Sequence, residues 1–190
     1  MNAIEFEKYD GLIFDCDGTL ADSMPIHYVA WRDTLARYGI DFPESRFYSM
    51  GGMSSEKIVV ALATDQGVQV DPSKVADEKE ELFQTKLSDV QPKDGVCKIV
   101  RAYHRRKPMA VASGSGRIVV LKQLMNLGID DLFDAVVTSE DTERHKPEPD
   151  VFLEAARRIA VEPSRCVVFE DSPLGFQAAD AAGMDWVDVR

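Results

Sequence analysis

Two aspartates follow directly after a short apolar run, and this arrangement constrains the fold more than any other part of the chain. The run is Gly11-Leu12-Ile13-Phe14, and Asp15-Cys16-Asp17-Gly18-Thr19-Leu20 comes next. A short apolar run bounded by turn-forming residues is typical of a buried strand. Alternate residues of a strand share a face, so Asp15 and Asp17 begin on the same side with Cα atoms roughly 6 to 7 Å apart.

Two carboxylates this close at the end of an apolar strand repel one another unless a cation or hydrogen-bond donors offset their charge. The pair therefore indicates a functional site, and its spacing suits a shared metal ion. The alternative is a simple turn around Gly18, because aspartate and glycine are both common where a chain reverses. Three later segments favour the functional site.

Short apolar runs alternate with helical patterns along most of the chain. The runs lie at 12–14, 109–112, 135–137 and 166–169, with a possible fifth at 186–189. The helical patterns between them lie at 96–103, 118–127, 151–159 and 174–182. Buried runs that alternate with helices predict an α/β fold with a doubly wound parallel sheet.

The interval from about residue 22 to residue 92 differs, because it contains helical patterns and no convincing strand. One helix carries an apolar face that includes Trp31 and Leu35, a second ends before Gly67, and a third begins at Asp71-Pro72. We therefore expect an α/β core from 1–21 and 93–190 and a helical cap domain from 22–92. Ligands of open α/β sheets bind at the carboxyl ends of the strands, so such a cap lies over the site.

Three other predicted strands also end in groups suited to phosphate or to a cation. The strand at 109–112 is followed by Ser113-Gly114-Ser115-Gly116, and the strand at 166–169 by Glu170-Asp171. Lys146 follows the strand at 135–137 after a short loop. Each has an ordinary alternative: a helix N-cap, a surface lysine and an acidic turn. Because the carboxyl ends of parallel strands share one edge of a sheet, the groups together predict a site for Mg²⁺ and phosphate.

These residues carry a family resemblance. In order and spacing, Asp15-x-Asp17-Gly18-Thr19, Ser113, Lys146 and Glu170-Asp171 resemble the four motifs of the haloacid dehalogenase (HAD) superfamily of phosphotransferases. The resemblance runs from about residue 11 to residue 190 and implies a HAD-like core with a small four-helix cap. The chain is most similar to the branch that holds β-phosphoglucomutase and small sugar-phosphate phosphatases, including bacterial fructose-1-phosphate phosphatases.

The resemblance implies roles for five residues. Asp15 is the expected nucleophile, which forms an aspartyl phosphate. Asp17 is the expected general acid for the leaving alcohol and then the base for water. Ser113, Lys146 and the backbone N–H of Gly114 are expected to hold the oxygens of the transferred phosphoryl group.

The resemblance also implies a Mg²⁺ cofactor. Its expected ligands are a carboxylate oxygen of Asp15, the backbone carbonyl of Asp17 and the side chain of Asp171. Glu170 is expected to reach the metal through a water molecule.

Four further residues are expected near the substrate or the cap. Threonine at position 19 is the usual residue of the phosphatases, so Thr19 favours hydrolysis. His27 matches a histidine of the mutase that engages the acid/base aspartate, although it is equally compatible with a helix surface. Gly52 and Ser54 lie in the first loop of the cap, where sugar specificity is expected to arise.

The expected activity is hydrolysis of a small sugar phosphate such as fructose 1-phosphate. The alternative is a β-phosphoglucomutase, which needs basic residues to hold a second phosphate. The loop at 49–55 has no basic residue, and Arg117 stands near the position where the mutase has a lysine. A remote alternative is a phosphate-receiving signalling domain, but such domains lack a helical insert after the first strand.

The composition of the chain limits the classes of binding partner and the cellular location that we expect. The formal net charge of −11 disfavours nucleic acid and anionic membranes. No apolar run approaches the roughly 18 residues of a membrane helix, and the first ten residues show no secretory signal. The three scattered cysteines predict reduced thiols and a cytoplasmic location. A monomer is the expected state for capped members of this branch.

Overall fold

The computed structural model describes residues 6–51 and 53–190. In chain order, its strands and α-helices are β1 Gly11–Phe14, β2 Ala21–Asp22, α1 Met24–Ala36, α2 Glu44–Ser49, α3 Ser55–Gln66, α4 Pro72–Gln84, β3 Gln91–Pro92, α5 Asp94–Tyr103, β4 Met109–Ala112, α6 Arg117–Leu127, β5 Ala135–Val137, α7 Asp150–Arg158, β6 Cys166–Glu170, α8 Pro173–Ala181 and β7 Asp185–Asp188.

The main sheet has five parallel strands in the order β5-β4-β1-β6-β7. In the central strand, Ile13 pairs with Ala110 on one side and with Val168 on the other. The four predicted strands are confirmed, and the possible fifth lies one residue earlier than expected, at Asp185–Asp188. This is the predicted α/β fold with a doubly wound parallel sheet.

Both faces of the three inner strands, β1, β4 and β6, are buried. Leu12 and Phe14 pack with α5 and α6, while Ile13 packs on the opposite side with α7 and α8. The ring of Phe14 stacks on that of Phe169, with ring centroids 4.5 Å apart. Strands covered on both faces are apolar at every position, which explains why β1 and β4 are continuous apolar runs.

Helix ends follow their local sequence. Asp71 accepts hydrogen bonds from the backbone N–H groups of Ser73 and Lys74 at 3.1 and 3.2 Å, so it caps α4 as predicted. Gly128 ends α6 with a φ of +62°, a left-handed conformation that glycine adopts without steric penalty.

Helices α1 to α4 have an apolar cluster of their own, which includes Trp31, Phe47, Leu62 and Val75. Helix α4 packs against both α1 and α3. The sequence patterns predicted three of these helices and missed α2, which is one and a half turns long. The count of four helices agrees with the cap that the family resemblance implied.

The two connections to this helical segment pair with each other. Ala21 lies opposite Pro92 and Asp22 opposite Gln91 in the antiparallel β2-β3 ladder. The sequence analysis predicted no strand here, because two-residue strands leave no periodic pattern. Among the described residues, no helix is both long and apolar enough to cross a membrane.

Candidate active site

The polar groups that follow β1, β4 and β6 line one cavity of about 960 Å³ between the sheet edge and helices α1 to α4. Nine of the ten described residues predicted for the site lie on its wall: Asp15, Asp17, His27, Ser54, Ser113, Gly114, Lys146, Glu170 and Asp171. The exception is Thr19, and the predicted Gly52 lies outside the described residues.

Lys146 joins two of the strand ends. Its Nζ donates hydrogen bonds to Asp15 Oδ1 and to Glu170 Oε2, both at 2.7 Å. The three side chains are at most 8% exposed. Burial opposes the charge of the lysine, but the two carboxylates together raise the pKa of Lys146 above its ordinary value. This lysine therefore stays protonated beside Asp15.

Asp15, Glu170 and Asp171 each place one carboxylate oxygen within 4.8 Å of the others. Burial and the charge of Glu170 raise the pKa of Asp15 well above its usual range, although Lys146 acts in the opposite direction. The same two causes raise the pKa of Asp171 to about 7. Three carboxylates with one ammonium leave excess negative charge, and hard oxygen ligands of this kind suit a divalent cation.

Glu170 is held by the protein on both of its oxygens. Oε1 accepts from the backbone N–H of Asp171 at 3.1 Å and from the backbone N–H and hydroxyl of Ser172 at 2.9 Å. Oε2 accepts from Lys146. A side chain at Gly175 would overlap this carboxylate, so the glycine leaves the space that Glu170 fills. Glu170 thus orients Lys146, and its contact with a metal through water stays a prediction.

Thr19 supports Asp171. The threonine is fully buried, and its hydroxyl lies 3.5 Å from Asp171 Oδ1. It therefore lies behind the site, in contact with a candidate metal ligand, and is absent from the described cavity wall where a substrate-contacting residue would lie.

Asp17 is surrounded by donors. Its Oδ1 accepts from the Ser23 hydroxyl at 2.6 Å, from Gln123 Nε2 at 2.9 Å and from His27 Nε2 at 3.0 Å, and its Oδ2 accepts from the Ser115 hydroxyl at 2.6 Å. Burial opposes ionisation, but His27 and the two serine hydroxyls lower the pKa of Asp17 below its ordinary value. These donors favour the carboxylate form of Asp17 and fix its orientation from several sides, so the residue must gain a proton before it can act as a general acid.

His27 is oriented by a buried lysine. Lys79 Nζ lies 2.9 Å from His27 Nδ1 and donates to Glu80 Oε1 at 2.7 Å. Since an ammonium group has donors alone, Nδ1 accepts and Nε2 carries the hydrogen that His27 donates to Asp17. The imidazole also stacks on Phe83, with ring centroids 3.7 Å apart.

The loop after β4 places small polar groups beside these carboxylates. Ser113 is buried, and its hydroxyl accepts from the backbone N–H of Ser115 at 3.1 Å. Gly114 lies on the cavity wall next to it. Backbone N–H groups at a loop of this kind are suited to oxygens of a phosphate group.

The family model described as haloacid dehalogenase-like hydrolase matches residues 12–189. The chain belongs to this family. It is 42% identical over 185 residues to the fructose-1-phosphate phosphatase YqaB of Escherichia coli, covering 97% of this chain and 98% of that protein. It is 30% identical over 187 residues to the β-phosphoglucomutase of Bacillus subtilis, covering 94% and 82%.

The fold agrees with that assignment. The solved structure of β-phosphoglucomutase (pgmB) from Clostridium difficile superimposes with a TM-score of 0.84 at 25% identity, covering 95% of this chain and 84% of that one. The resemblance to the HAD superfamily is thereby confirmed, as is the assignment to an enzyme family of hydrolases.

Sequence reasoning missed several polar residues of this HAD-like hydrolase: Ser23, Lys79, Ser115 and Gln123. Ser23 occupies the N-cap position of α1, yet its hydroxyl binds Asp17 and caps no helical N–H group. Lys79 and Gln123 lie within helices, where lysine and glutamine are ordinary residues. Ser115 was grouped with a small-residue loop and given no role, although its place two residues after Ser113 was a usable signal.

Proposed function

We propose that the protein is a Mg²⁺-dependent phosphatase that releases phosphate from a small sugar phosphate such as fructose 1-phosphate. One observation carries the proposal: Asp15 accepts a hydrogen bond from the Lys146 ammonium and lies within 4.8 Å of the Asp171 carboxylate, on the wall of a cavity large enough for a sugar phosphate. The 42% identity to the fructose-1-phosphate phosphatase of Escherichia coli supports the substrate class.

In the first step, a carboxylate oxygen of Asp15 attacks phosphorus while the bond from phosphorus to the sugar oxygen breaks. The leaving sugar oxygen takes a proton from Asp17 and departs as an alcohol. Ser113, Lys146 and the N–H of Gly114 hold the phosphoryl oxygens, because they offer one hydroxyl, one ammonium and one backbone donor at the same sheet edge.

In the second step, water attacks the aspartyl phosphate. Asp17 now accepts a proton from that water, which restores the protonated form that acts as the general acid in the first step. The bond between phosphorus and the Asp15 oxygen breaks, and inorganic phosphate leaves. The donors around Asp17 keep its carboxylate aimed at the same point in both steps.

The residues at the sheet edge fit Mg²⁺. We propose Asp15, Asp171 and the backbone carbonyl of Asp17 as its ligands, with Glu170 contributing through water. When bound, the ion offsets the repulsion between an anionic nucleophile and an anionic phosphate.

We further propose that residues 22–92 form a cap domain over a core of residues 1–21 and 93–190. The cavity wall on the side of this segment is rich in apolar and aromatic side chains: Trp31, Phe47, Tyr48, Met50 and Met53. Such a wall excludes bulk water from the phosphoryl group during transfer. Ser54 is proposed to contact the sugar, together with His27 from α1.

Mutase activity is the second candidate, because β-phosphoglucomutases are among the relatives. It requires a firm hold on a second phosphate. Arg117 donates instead to Asp141 at 2.5 Å and is absent from the described cavity wall. Lys93 and Arg190 line the cavity. Asp188 already binds the guanidinium of Arg190, and a lysine offers a point charge without the fork of an arginine.

Acidic residues on the same wall also disfavour a second phosphate. Asp22, Glu56, Asp77 and Glu80 line the part of the cavity formed by the helical segment. Their charge repels a second phosphate. We therefore propose that the substrate is a monophosphate whose sugar carries no other anionic group.

Phosphate release from a panel of hexose and pentose phosphates in the presence of Mg²⁺ tests the proposal. The expected result is turnover of monophosphates that is abolished by EDTA and by Asp15→Asn. β-Glucose 1-phosphate with a trace of the 1,6-bisphosphate distinguishes the mutase. Glucose 6-phosphate that accumulates without stoichiometric phosphate would overturn the hydrolase in favour of the mutase.

The protein is proposed to act in the cytoplasm as a monomer. Cys16, Cys97 and Cys166 are buried and free, as expected for a reducing compartment. Light scattering coupled to size exclusion tests the oligomeric state, and a mass of twice 21.2 kDa would contradict the monomer.

A further inference from the structure

We infer that Gln123 is a positioning residue that holds the Asp17 carboxylate in its working orientation from the core side of the cavity. The inference rests on the proposed role of Asp17 in transferring a proton to the sugar oxygen. Gln123 lies in the middle of α6 and belongs to none of the four sequence motifs.

The contact is direct and fully enclosed. Gln123 is 0% exposed, and its Nε2 lies 2.9 Å from Asp17 Oδ1. The buried neighbours of Gln123 on the same helix are apolar: Val119, Val120, Leu124 and Leu127. A buried face of this composition predicts leucine or methionine at position 123, so the amide needs a reason to be there.

The other end of the amide supplies an independent observation. Gln123 Oε1 is buried and has no hydrogen-bond partner among the described residues. Leaving a buried carbonyl oxygen unpaired lowers stability, and an apolar side chain of the same length would avoid that loss. The unpaired oxygen of the amide therefore lowers stability while its Nε2 group binds Asp17, which is the pattern expected of a residue kept for function.

The position of Gln123 differs from that of the other Oδ1 donors. Ser23 and His27 reach Asp17 from the start of α1, in the segment proposed to be the cap. Gln123 reaches the same oxygen from α6, which packs with β1 in the core. When the cap shifts relative to the core, the hydrogen bond from Gln123 stays in place and preserves the direction of the carboxylate.

The leaving group provides the test. A sugar alkoxide needs the proton that Asp17 delivers, whereas p-nitrophenolate is stable enough to leave without one. Gln123→Met keeps the length of the side chain and removes both amide groups. We expect kcat/KM for the sugar phosphate to fall about tenfold to a hundredfold, mainly through kcat, and that for p-nitrophenyl phosphate to change less than about threefold.

Stability is measured on the same variant, which we expect to unfold at an equal or higher temperature than the wild type. Asn126→Leu is the matched control, because Asn126 is an amide on the same helix that donates to Leu87 O at 3.1 Å and does not contact Asp17. We expect this control to leave the ratio of the two kcat/KM values unchanged. Equal losses on both esters in Gln123→Met would overturn the inference.

Failure of the proposed function gives a different result, namely a wild-type protein that hydrolyses neither ester. A crystal structure of Gln123→Met then tests the inference without a substrate. We expect the Asp17 carboxylate to rotate away from the position at which it accepts from Ser23 and His27. A carboxylate that keeps both hydrogen bonds in the variant would overturn the positioning role.

Discussion

A Cβ atom added to Gly18 would overlap the carboxylate of Asp171, because Gly18 turns with a φ of +83° against that side chain. The loop after β1 and the loop after β6 are therefore in close contact at Gly18, where the absence of a side chain leaves room for Asp171. This close approach brings Asp171 within reach of Asp15. The glycine of the first motif is thus part of the candidate metal site.

Gly18→Ala is expected to reduce phosphatase activity by at least about a hundredfold, because it displaces Asp171 and strains the backbone. Gly67→Ala is the matched control. Gly67 has a φ of +68° with nothing within 4 Å of an added Cβ, so it reports the strain alone. We expect Gly67→Ala to lose about 1 kcal/mol of unfolding free energy and no activity. Equal activity in the two variants would contradict a role for Gly18 in placing Asp171.

Mg²⁺ is expected to stabilise the wild type and not Asp171→Asn. The cation offsets the repulsion of the three clustered carboxylates, and the variant has lost one of them. At a hundredfold excess over the dissociation constant, the gain in the wild type is about 2.7 kcal/mol of unfolding free energy. Thermal melts with Mg²⁺ and with EDTA measure it. An equal shift in the variant would place the metal elsewhere.

Lys146→Met is expected to abolish activity and to lower the unfolding free energy by about 3 to 5 kcal/mol in EDTA. The reason is that Asp15 and Glu170 lose the buried ammonium that both contact at 2.7 Å. Lys122→Met is the control, because Lys122 is exposed and donates to Gln84. Denaturant titrations compare the two. A Lys146→Met protein as stable as the control would show that the ion pairs are not needed for folding.

Asp141→Asn is expected to destabilise the protein in a pH-dependent way. Burial opposes the charge, but hydrogen bonds from Arg158 and Thr138 lower the pKa of Asp141 to about 2. Because the folded pKa lies below the unfolded one, the stabilisation is complete above about pH 4 and disappears as the pH falls through 2. The variant should therefore lose about 2 kcal/mol of unfolding free energy at pH 7 and almost none near pH 2.

The control for that series is Asp33→Asn. Asp33 pairs with Arg32 on the surface, where both side chains are at least 40% exposed, and such pairs contribute little. Denaturant unfolding at several pH values gives the comparison. A loss in Asp141→Asn that stays constant down to pH 2 would show that packing, and not charge, is responsible.

Much of the fold could be predicted from local pattern. Apolar runs identified β1, β4, β5 and β6, and capping residues such as Asp71 and Gly128 gave helix ends, because these signals depend on neighbours along the chain. The sequence did not predict helix α2, because it is too short to show a periodic apolar face. It did not predict the β2-β3 pair either, because the paired residues lie about 70 positions apart in the chain.

The candidate site also has features that the sequence predicted and features that only the structure showed. The sequence by itself determined the family and the groups that end the strands, because parallel topology brings the carboxyl ends of β1, β4 and β6 to one edge. The family resemblance also indicated His27 as a partner of Asp17, but tertiary structure alone decided the other donors around this carboxylate. Ser23, Ser115 and Gln123 meet at one carboxylate from three separate elements, and a hydrogen bond across such distances in the chain leaves no local pattern.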